Sequence, residues 1–327
     1  MSPMVRSTVL LRISLLFGFL PVPAMSQTVE HLQSTCSSAV GAEGQHCTAS
    51  VLAARELMGH ISVLAAPGFE VPAESSTLGR RLGGVPRTSA FIRAGVFTGE
   101  IPDLRCDPLL EPWSERPSRC SKNRSSFSVP SIHFGLGLGL LDGVQLMPTV
   151  GGFLSLDVVG HTNLLFFPQE DGFSGRVGAW GIGARIGILQ ESFTLPGVSV
   201  SVMRRGVGDL SLSGGHTEVT LGSSITSHRV TVGKDFFALG FAAGVAWNDM
   251  STDVSLDSYT ALPLDGLLES TRATYFIGVS KQLGVLSWMS AEFGFTPKFD
   301  PVEGLAENVF QPEDLTVLGS LGVLLKL

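Results

Sequence analysis

The chain has no apolar run long enough to cross a membrane as a helix. A spanning helix needs about 18 to 20 consecutive apolar residues, whereas the longest candidate here, residues 236–247, has twelve. Charged side chains are also scarce, at 16%, although hydrophobic residues reach 44%. A soluble surface usually carries more charge, so this composition is typical of a membrane β-barrel, and a secreted soluble β-sandwich is the alternative.

Basic residues are fewer than acidic ones. The formal net charge is −7, which argues against a nucleic-acid partner.

Cysteine is also rare. The four cysteines contain no Cys-x-x-Cys pair and the histidines are scattered, so neither a metal site nor a cofactor is predicted. An even number of cysteines in an exported chain favours two disulfides. Three pairings are possible, and proximity favours Cys36–Cys47, on the periplasmic side or in the lumen, and Cys106–Cys120, outside the cell.

The first 26 residues read as a secretory signal peptide. They contain Arg6 and Arg12 but no acid, followed by the apolar stretch 13–20 and the small residues around Ala24 and Ser26. This order of charged, apolar and small residues is recognised by the export machinery and is then cleaved. We therefore expect a mature chain that begins near Gln27 and is localised to the cell outer membrane.

The last segment, residues 315–327, alternates with a period of two. Its odd positions carry Leu315, Val317, Leu321 and Val323, whereas its even positions are mixed. This period predicts a strand. A long strand with a bare apolar face at the chain end is typical of the closing strand of an outer-membrane barrel, which contacts lipid. The barrel-assembly machinery is the expected partner of this strand.

Period-two segments recur from residue 87 onward, and they predict an all-β, transmembrane, antiparallel up-and-down barrel of about ten strands, within a range of eight to twelve. The predicted strands are 87–98, 127–140, 144–162, 172–190, 197–212, 217–233, 236–256, 270–283, 286–299 and 315–327. Short and long connections alternate between them, apart from the link at 213–216. Short turns are expected on the periplasmic side.

Two features of the strands indicate which face meets the lumen. In the predicted strands two and seven, bulky residues alternate with glycine and alanine, so the bulky face is expected to contact lipid and the small face to leave luminal space. Trp180 and Trp247 are expected in the interfacial aromatic girdle. The apolar parity changes between Val177 and Trp180, and a β-bulge near Gly178 would explain it.

Residues 27–86 form a separate module. A helix is predicted over 50–64, where Ala54, Leu57 and Ile61 share one face. About sixty residues make a small core, so we expect the module to act as a plug or a periplasmic appendage of the barrel, which comprises residues 87–327.

Several polar side chains fall on the predicted luminal face. They are candidates for lining the lumen, and the common role of such charges is to pair with one another. The candidates are Arg93, His133, Asp157, His161, Arg185, Arg205, Glu292 and Lys326.

Two further features suggest other functions. Asp157 and His161 share a face near the predicted outer end of strand three, and the omptin proteases, also ten-stranded barrels, use an Asp/His pair to activate water. The loop 99–126, with Cys106 and Cys120, is shaped for contact or gating. A hydrolase and an adhesive or structural barrel are therefore alternatives, but no catalytic residue is assigned and no enzyme activity is expected.

The order of signal peptide, N-terminal module and barrel with an apolar last strand resembles the long-chain fatty-acid transporter family, also called hydrophobic-compound transporters. The resemblance lies in this arrangement, so it assigns no site residues. It implies a passive outer-membrane channel or uptake protein for small solutes, including hydrophobic ones, with outer-membrane lipid as its surroundings.

Overall fold

The computed structural model describes Ser34, Cys36 and residues 42–65, 71, 74–80, 85–102, 104, 124–145, 152–214, 217–258, 264–297 and 315–327. The predicted signal peptide, Cys106, Cys120 and most of the loop 99–126 lie outside these residues.

In the described residues one long helix precedes ten strands. The helix is α1 (Ala42–Ala65). The strands are β1 (Thr88–Pro102), β2 (Arg124–Leu141), β3 (Ser155–Phe166), β4 (Arg176–Leu189), β5 (Gly197–Gly214), β6 (Thr217–Phe236), β7 (Leu239–Ser258), β8 (Leu264–Gln282), β9 (Ser287–Thr296) and β10 (Thr316–Lys326). The predicted helix is confirmed and is longer than expected.

The strands form a closed antiparallel barrel in sequence order, which confirms the predicted fold. Closure is made by β1 and β10, whose register runs from Ser89 opposite Lys326 to Thr98 opposite Val317. The β4–β5, β6–β7 and β8–β9 connections lie at the same end of the barrel as the start of β1. We call this end the turn side and the opposite end the loop side.

The outward face is apolar and accessible. Leu136, Ile182, Ile277 and Leu321 are each more than half exposed, and they come from four different strands. A contiguous band of such side chains is unstable in water and is the lipid-facing surface of a transmembrane barrel.

The predicted girdle residues Trp180 and Trp247 also point outward, with 58% and 43% of their surface exposed. Among the described residues, no helix is both long and apolar enough to span a membrane.

The connection between β2 and β3 is longer than predicted. It spans residues 142–154, so β3 begins at Ser155 and not at 144. Gly143 and Gly152 both have φ of +75°, and Val144 and Phe153 exchange two backbone hydrogen bonds between them. This bridged pair lies where the sequence predicted an extension of the strand. As a result, Asp157 lies near the turn side, and its predicted position near the outer end is wrong.

The predicted bulge near Gly178 is also wrong. The β3–β4 ladder is regular from Arg176 to Gly187, with Val177 facing the lumen and Trp180 facing lipid. In the sequence, the apolar residues switch from an odd to an even position here because the inward and the outward face of β4 are both apolar at this level.

Glycines on the inward face of β2 make room for the chain that precedes β1. A Cβ atom on Gly139 would lie 2.1 Å from the carbonyl oxygen of Gly79 and 2.8 Å from its nitrogen. Backbone therefore packs on backbone here, and a side chain cannot be accommodated without moving residues 78–80.

Gly139→Val is expected to destabilise the barrel by about 1–3 kcal/mol, because overpacking displaces residues 78–80. The measurement is urea unfolding in detergent micelles. Gly319→Val is the matched control, since nothing lies within 4 Å of a Cβ atom at Gly319. Equal stability of the two variants would contradict this packing.

Candidate functional site

The helix α1 lies inside the lumen. It contacts β1, β5, β6, β7, β8 and β10, which surround it. Side chains on all of its faces are buried, including those of Val51, Ala54, Leu57 and Ile61, each at most 1% exposed. An eight-stranded barrel is just filled by its own side chains, so ten strands leave additional space, and α1 occupies it.

The wall around α1 is apolar in the loop-side half of the lumen. Aromatic rings line β1, β2 and the β3–β4 connection. The ring of Phe127 lies 5.2 Å from that of Phe173, and Phe173 lies 5.2 Å from Phe167. The ring of Phe97 is 5.0 Å from the imidazole of His60 on α1.

Burial against this wall holds α1 in place. Each fully buried aliphatic side chain contributes roughly 1.5–3 kcal/mol. Six large apolar side chains of α1 are at most 3% exposed: Val51, Leu52, Leu57, Met58, Ile61 and Val63. Withdrawal of the helix into water would therefore cost roughly 9–18 kcal/mol, so α1 is firmly held in the lumen.

The direction of α1 follows from chain length. His60 lies level with Glu100, and Val71 belongs to the same buried cluster as Phe91. Phe91 lies about 23 Å further toward the turn side, for a strand rise of about 3.3 Å and a tilt of about 40°. The chain from Ala65 to Val71 spans at most about 20 Å. If α1 ran toward the loop side after His60, Ala65 would lie more than about 23 Å from the level of Phe91, and the chain from Ala65 could not bring Val71 to that level. We conclude that α1 begins at the loop side and descends.

His60 joins α1 to the barrel on the loop side. Its Nε2–H donates to the carbonyl of Glu100 at 2.9 Å. Glu100 lies beyond the last β1–β10 pair, which joins Thr98 and Val317. The imidazole therefore forms a hydrogen bond with a backbone carbonyl at the end of the β1–β10 ladder. Burial lowers the pKa of His60 to about 4, which keeps the ring neutral at physiological pH.

Asp157 joins the chain after α1 to the barrel on the turn side. Its carboxylate accepts the backbone N–H of Leu78 at 2.8 Å and 3.1 Å. Arg185 donates to the same carboxylate at 2.7 Å, and Arg185 also reaches the carbonyl of Glu74. The Glu74 carboxylate pairs with Lys326 at 2.7 Å. Residues 74–78 are thereby fixed across the turn-side mouth.

A polar belt encircles the lumen between these two attachments. Arg93 pairs with Glu292 at 3.2 Å, and the guanidinium of Arg229 lies 5.4 Å from the ring centre of Phe276. Hydrogen bonds then link five strands from β5 to β9 through Arg205, Ser227, Asn248, Thr274 and Thr296. Networks of this kind rigidify a buried layer when their members are satisfied.

Cavities open at both mouths. The turn-side cavity has a volume of about 1020 Å³ and is lined by residues that include Glu74, Lys234 and Lys326. The loop-side cavity, of about 610 Å³, is lined by Glu56, His60 and Arg272 among others. The polar belt and the last residues of α1, after His60, lie between them.

The predicted luminal residues face inward. Six are buried and two are partly exposed, His161 beside Gly181 and Lys326 at the turn-side mouth. The buried ones are Arg93, His133, Asp157, Arg185, Arg205 and Glu292.

The Asp157–His161 pair required for an omptin-like site is not formed. Asp157 binds Arg185 and the Leu78 N–H, whereas the imidazole of His161 lies over Gly181 beside Arg205. In the part of the chain that the structure describes, no group of three or more His, Cys, Asp or Glu could hold a metal ion.

Sequence reasoning missed Arg229 and Arg272 of the lumen and Glu56 and His60 of α1. Arg229 has the same parity as the luminal residues of β6, so extension of the pattern would have found it. Glu56 and His60 are four residues apart and share a helix face, but the sequence does not reveal that this face meets the barrel wall.

The predicted disulfide Cys36–Cys47 is confirmed, with a Cα–Cα distance of 5.5 Å. Cys36 is 1% exposed and belongs to the apolar cluster around α1. Because α1 begins at the loop side, the bridge lies toward the loop-side end of the helix and not at the turn side.

No protein-family model matches the chain, and no curated protein sequence matches it. Solved structures resemble it at low identity. The translocator domain of the autotransporter NalP from Neisseria meningitidis is 11% identical with a TM-score of 0.41, covering 73% of this chain and 88% of that one. The Pseudomonas putida toluene transporter TodX is 11% identical with a TM-score of 0.33, covering 79% and 97%.

The outer membrane protease OmpT from Escherichia coli is 6% identical with a TM-score of 0.32, covering 74% of this chain and 94% of that one. Likenesses this weak carry no functional information. The fold assignment rests on the chain's own features, namely a closed ten-strand topology and an apolar exterior.

Proposed function

We propose that this protein is an outer-membrane barrel that acts as a passive channel or uptake protein for small apolar solutes, with α1 as a movable plug. One observation carries the proposal. The loop-side half of the lumen is lined mainly by apolar side chains, and apolar side chains of α1 pack against them. In the described residues, the disulfide lies between Cys36 and Cys47, so it does not tie α1 to a strand.

The chemistry of the wall selects the solute class. Displacing α1 exposes apolar wall, which is unfavourable when water or an ion takes its place. An apolar solute that packs against Phe127, Phe167 and Phe173 restores part of the lost burial. Residues 74–78, which are fixed across the turn-side mouth, are the second barrier on this route, so permeation requires them to move as well.

A barrel that does not transport is the second candidate. The observation that favours it is the thorough burial of α1 together with the hydrogen-bonded belt beneath it. In that case α1 is a permanent part of the core, and the protein serves as a structural or adhesive element of the outer membrane.

Cross-linking distinguishes these candidates. A Cβ atom on Gly99 would lie 2.8 Å from the imidazole of His60, so a double His60→Cys, Gly99→Cys variant joined by a short bis-maleimide holds α1 to β1. Uptake of a small aromatic hydrocarbon into proteoliposomes is expected for the untreated double variant and is expected to stop after cross-linking. The two single variants with the same reagent are the controls. Uptake that is unaffected by the cross-link would contradict the movable plug.

A further inference from the structure

Glu56 is an unusual residue for its position. It is 2% exposed and lies on α1 between Arg55 and the buried Leu57, in a helix that otherwise packs in the lumen mainly through apolar side chains. A carboxylate in such surroundings is unfavourable unless it is neutral or paired. It also lines the loop-side cavity of about 610 Å³, which gives the side chain a polar region near its buried position.

Among the described residues, the charged and titratable groups around Glu56 come from three elements. Arg55 and His60 belong to α1, Arg272 belongs to β8, and Glu100 belongs to β1. The elements β2 and β10 contribute only hydroxyl, aromatic and aliphatic groups to the same cavity. His60 is neutral above a pH of about 4, so it does not change charge in the neutral range.

Burial raises the pKa of Glu56 from 4.5 to about 7, and the positive charges of Arg272 and Arg55 oppose this change. A raised pKa means that the docked helix binds the proton more tightly than an exposed helix does. The docked state is therefore favoured below the ordinary pKa of 4.5, and this advantage is lost as the pH rises through 7.

We propose that Glu56 is a proton-responsive contact that regulates the docking of α1. When Glu56 is protonated, its neutral side chain packs in the apolar lumen and α1 is firmly docked. When it is ionised, the carboxylate turns toward Arg272 and the water of the loop-side cavity, and α1 is loosened. This inference rests on the proposed function, in which α1 is the movable closure of the channel.

Amide hydrogen exchange of residues 51–63 tests the inference, with full-length protein in phosphatidylcholine vesicles and with correction for the intrinsic pH dependence of exchange. Between pH 5 and pH 8 the protection of α1 is expected to fall roughly 50- to 100-fold, from the linkage of one raised carboxyl group. Glu56→Gln removes the titration and keeps the shape, so its protection is expected to be the same at both values.

Two more variants sharpen the test. Glu100→Gln alters the wall of the same cavity but not α1, and it should retain the pH dependence. Arg272→Gln removes the attraction for the ionised form, so the midpoint should move to higher pH. Equal protection of wild-type α1 at pH 5 and pH 8, or a pH dependence that persists in Glu56→Gln, would overturn the inference.

Solute uptake separates this inference from the proposed function. Protection and uptake that change together with pH support both. If protection depends on pH through Glu56 while uptake is absent at every pH, the proton-responsive contact stands and the channel function fails. If uptake occurs without any pH effect on protection, the channel function stands and this inference fails.

Discussion

Deletion of residues 27–80 is expected to convert a closed barrel into an open one. The deletion removes α1 together with residues 74–80, which otherwise bind Asp157 and Lys326 across the turn-side mouth. Among the described residues, the side chains of the strands then remain in the lumen, including those of the polar belt. In planar bilayers, the intact protein is expected to show no resolved channels, and the deletion variant should show discrete current steps.

The control for this experiment is barrel integrity, which heat-modifiable migration on gels reports. The apolar wall left by the deletion should also bind an added aromatic hydrocarbon, which an empty polar pore would not. A deletion variant that migrates as an intact barrel and conducts no better than the wild type would refute α1 as a plug. The structural candidate would then replace the channel.

Asp157→Ala is expected to cost about 3–5 kcal/mol of stability, because it leaves the buried guanidinium of Arg185 without its carboxylate. The Leu78 N–H loses its acceptor as well. The free energy of unfolding in urea measures the effect. Asp209→Ala removes an exposed acid on β5 and should change stability by less than about 0.5 kcal/mol.

The double variant Asp157→Ala, Arg185→Leu shows whether the loss of stability in Asp157→Ala comes from the unpaired charge of Arg185 or from lost packing around residue 157. Removing both charges should recover much of the loss, since apolar replacements for a buried pair are often close to neutral. If the double variant is as unstable as the sum of the two single variants, the pair contributes through packing and not through its charges.

The sequence determined the barrel well because its strands have a simple period. Alternation along β10 and β2 was sufficient to predict which face meets lipid and which strands close the barrel. The same rule wrongly predicted a bulge between Val177 and Trp180. At this level the lumen wall is as apolar as the lipid-facing surface, so alternation does not distinguish the two faces. It also failed at Ser155, because Gly143 and Gly152 have positive φ angles and Val144 pairs with Phe153 in a segment that alternates like a strand.

The site was less predictable for a different reason. Inward-facing residues such as Arg93 and Arg205 could be found from parity within one strand. The residues they contact depend on the register between neighbouring strands, and the sequence of one strand does not determine this register. The height of α1 in the lumen, and therefore the meeting of Glu56 with Arg272, depends on the path of the chain from Ala65 to Val71.

The seam between β1 and β10 has a consequence for biogenesis. The helix α1 is synthesised before any strand, yet it ends up enclosed by the pairing of the first strand with the last. A finished cylinder offers no lateral entrance, so α1 reaches its place either before the seam from Ser89 to Thr98 closes or afterwards through the open loop-side mouth. The movable plug proposed above requires the second route to exist. A refolded barrel should therefore be able to take up its own N-terminal helix without breaking the ten residue pairs of the seam.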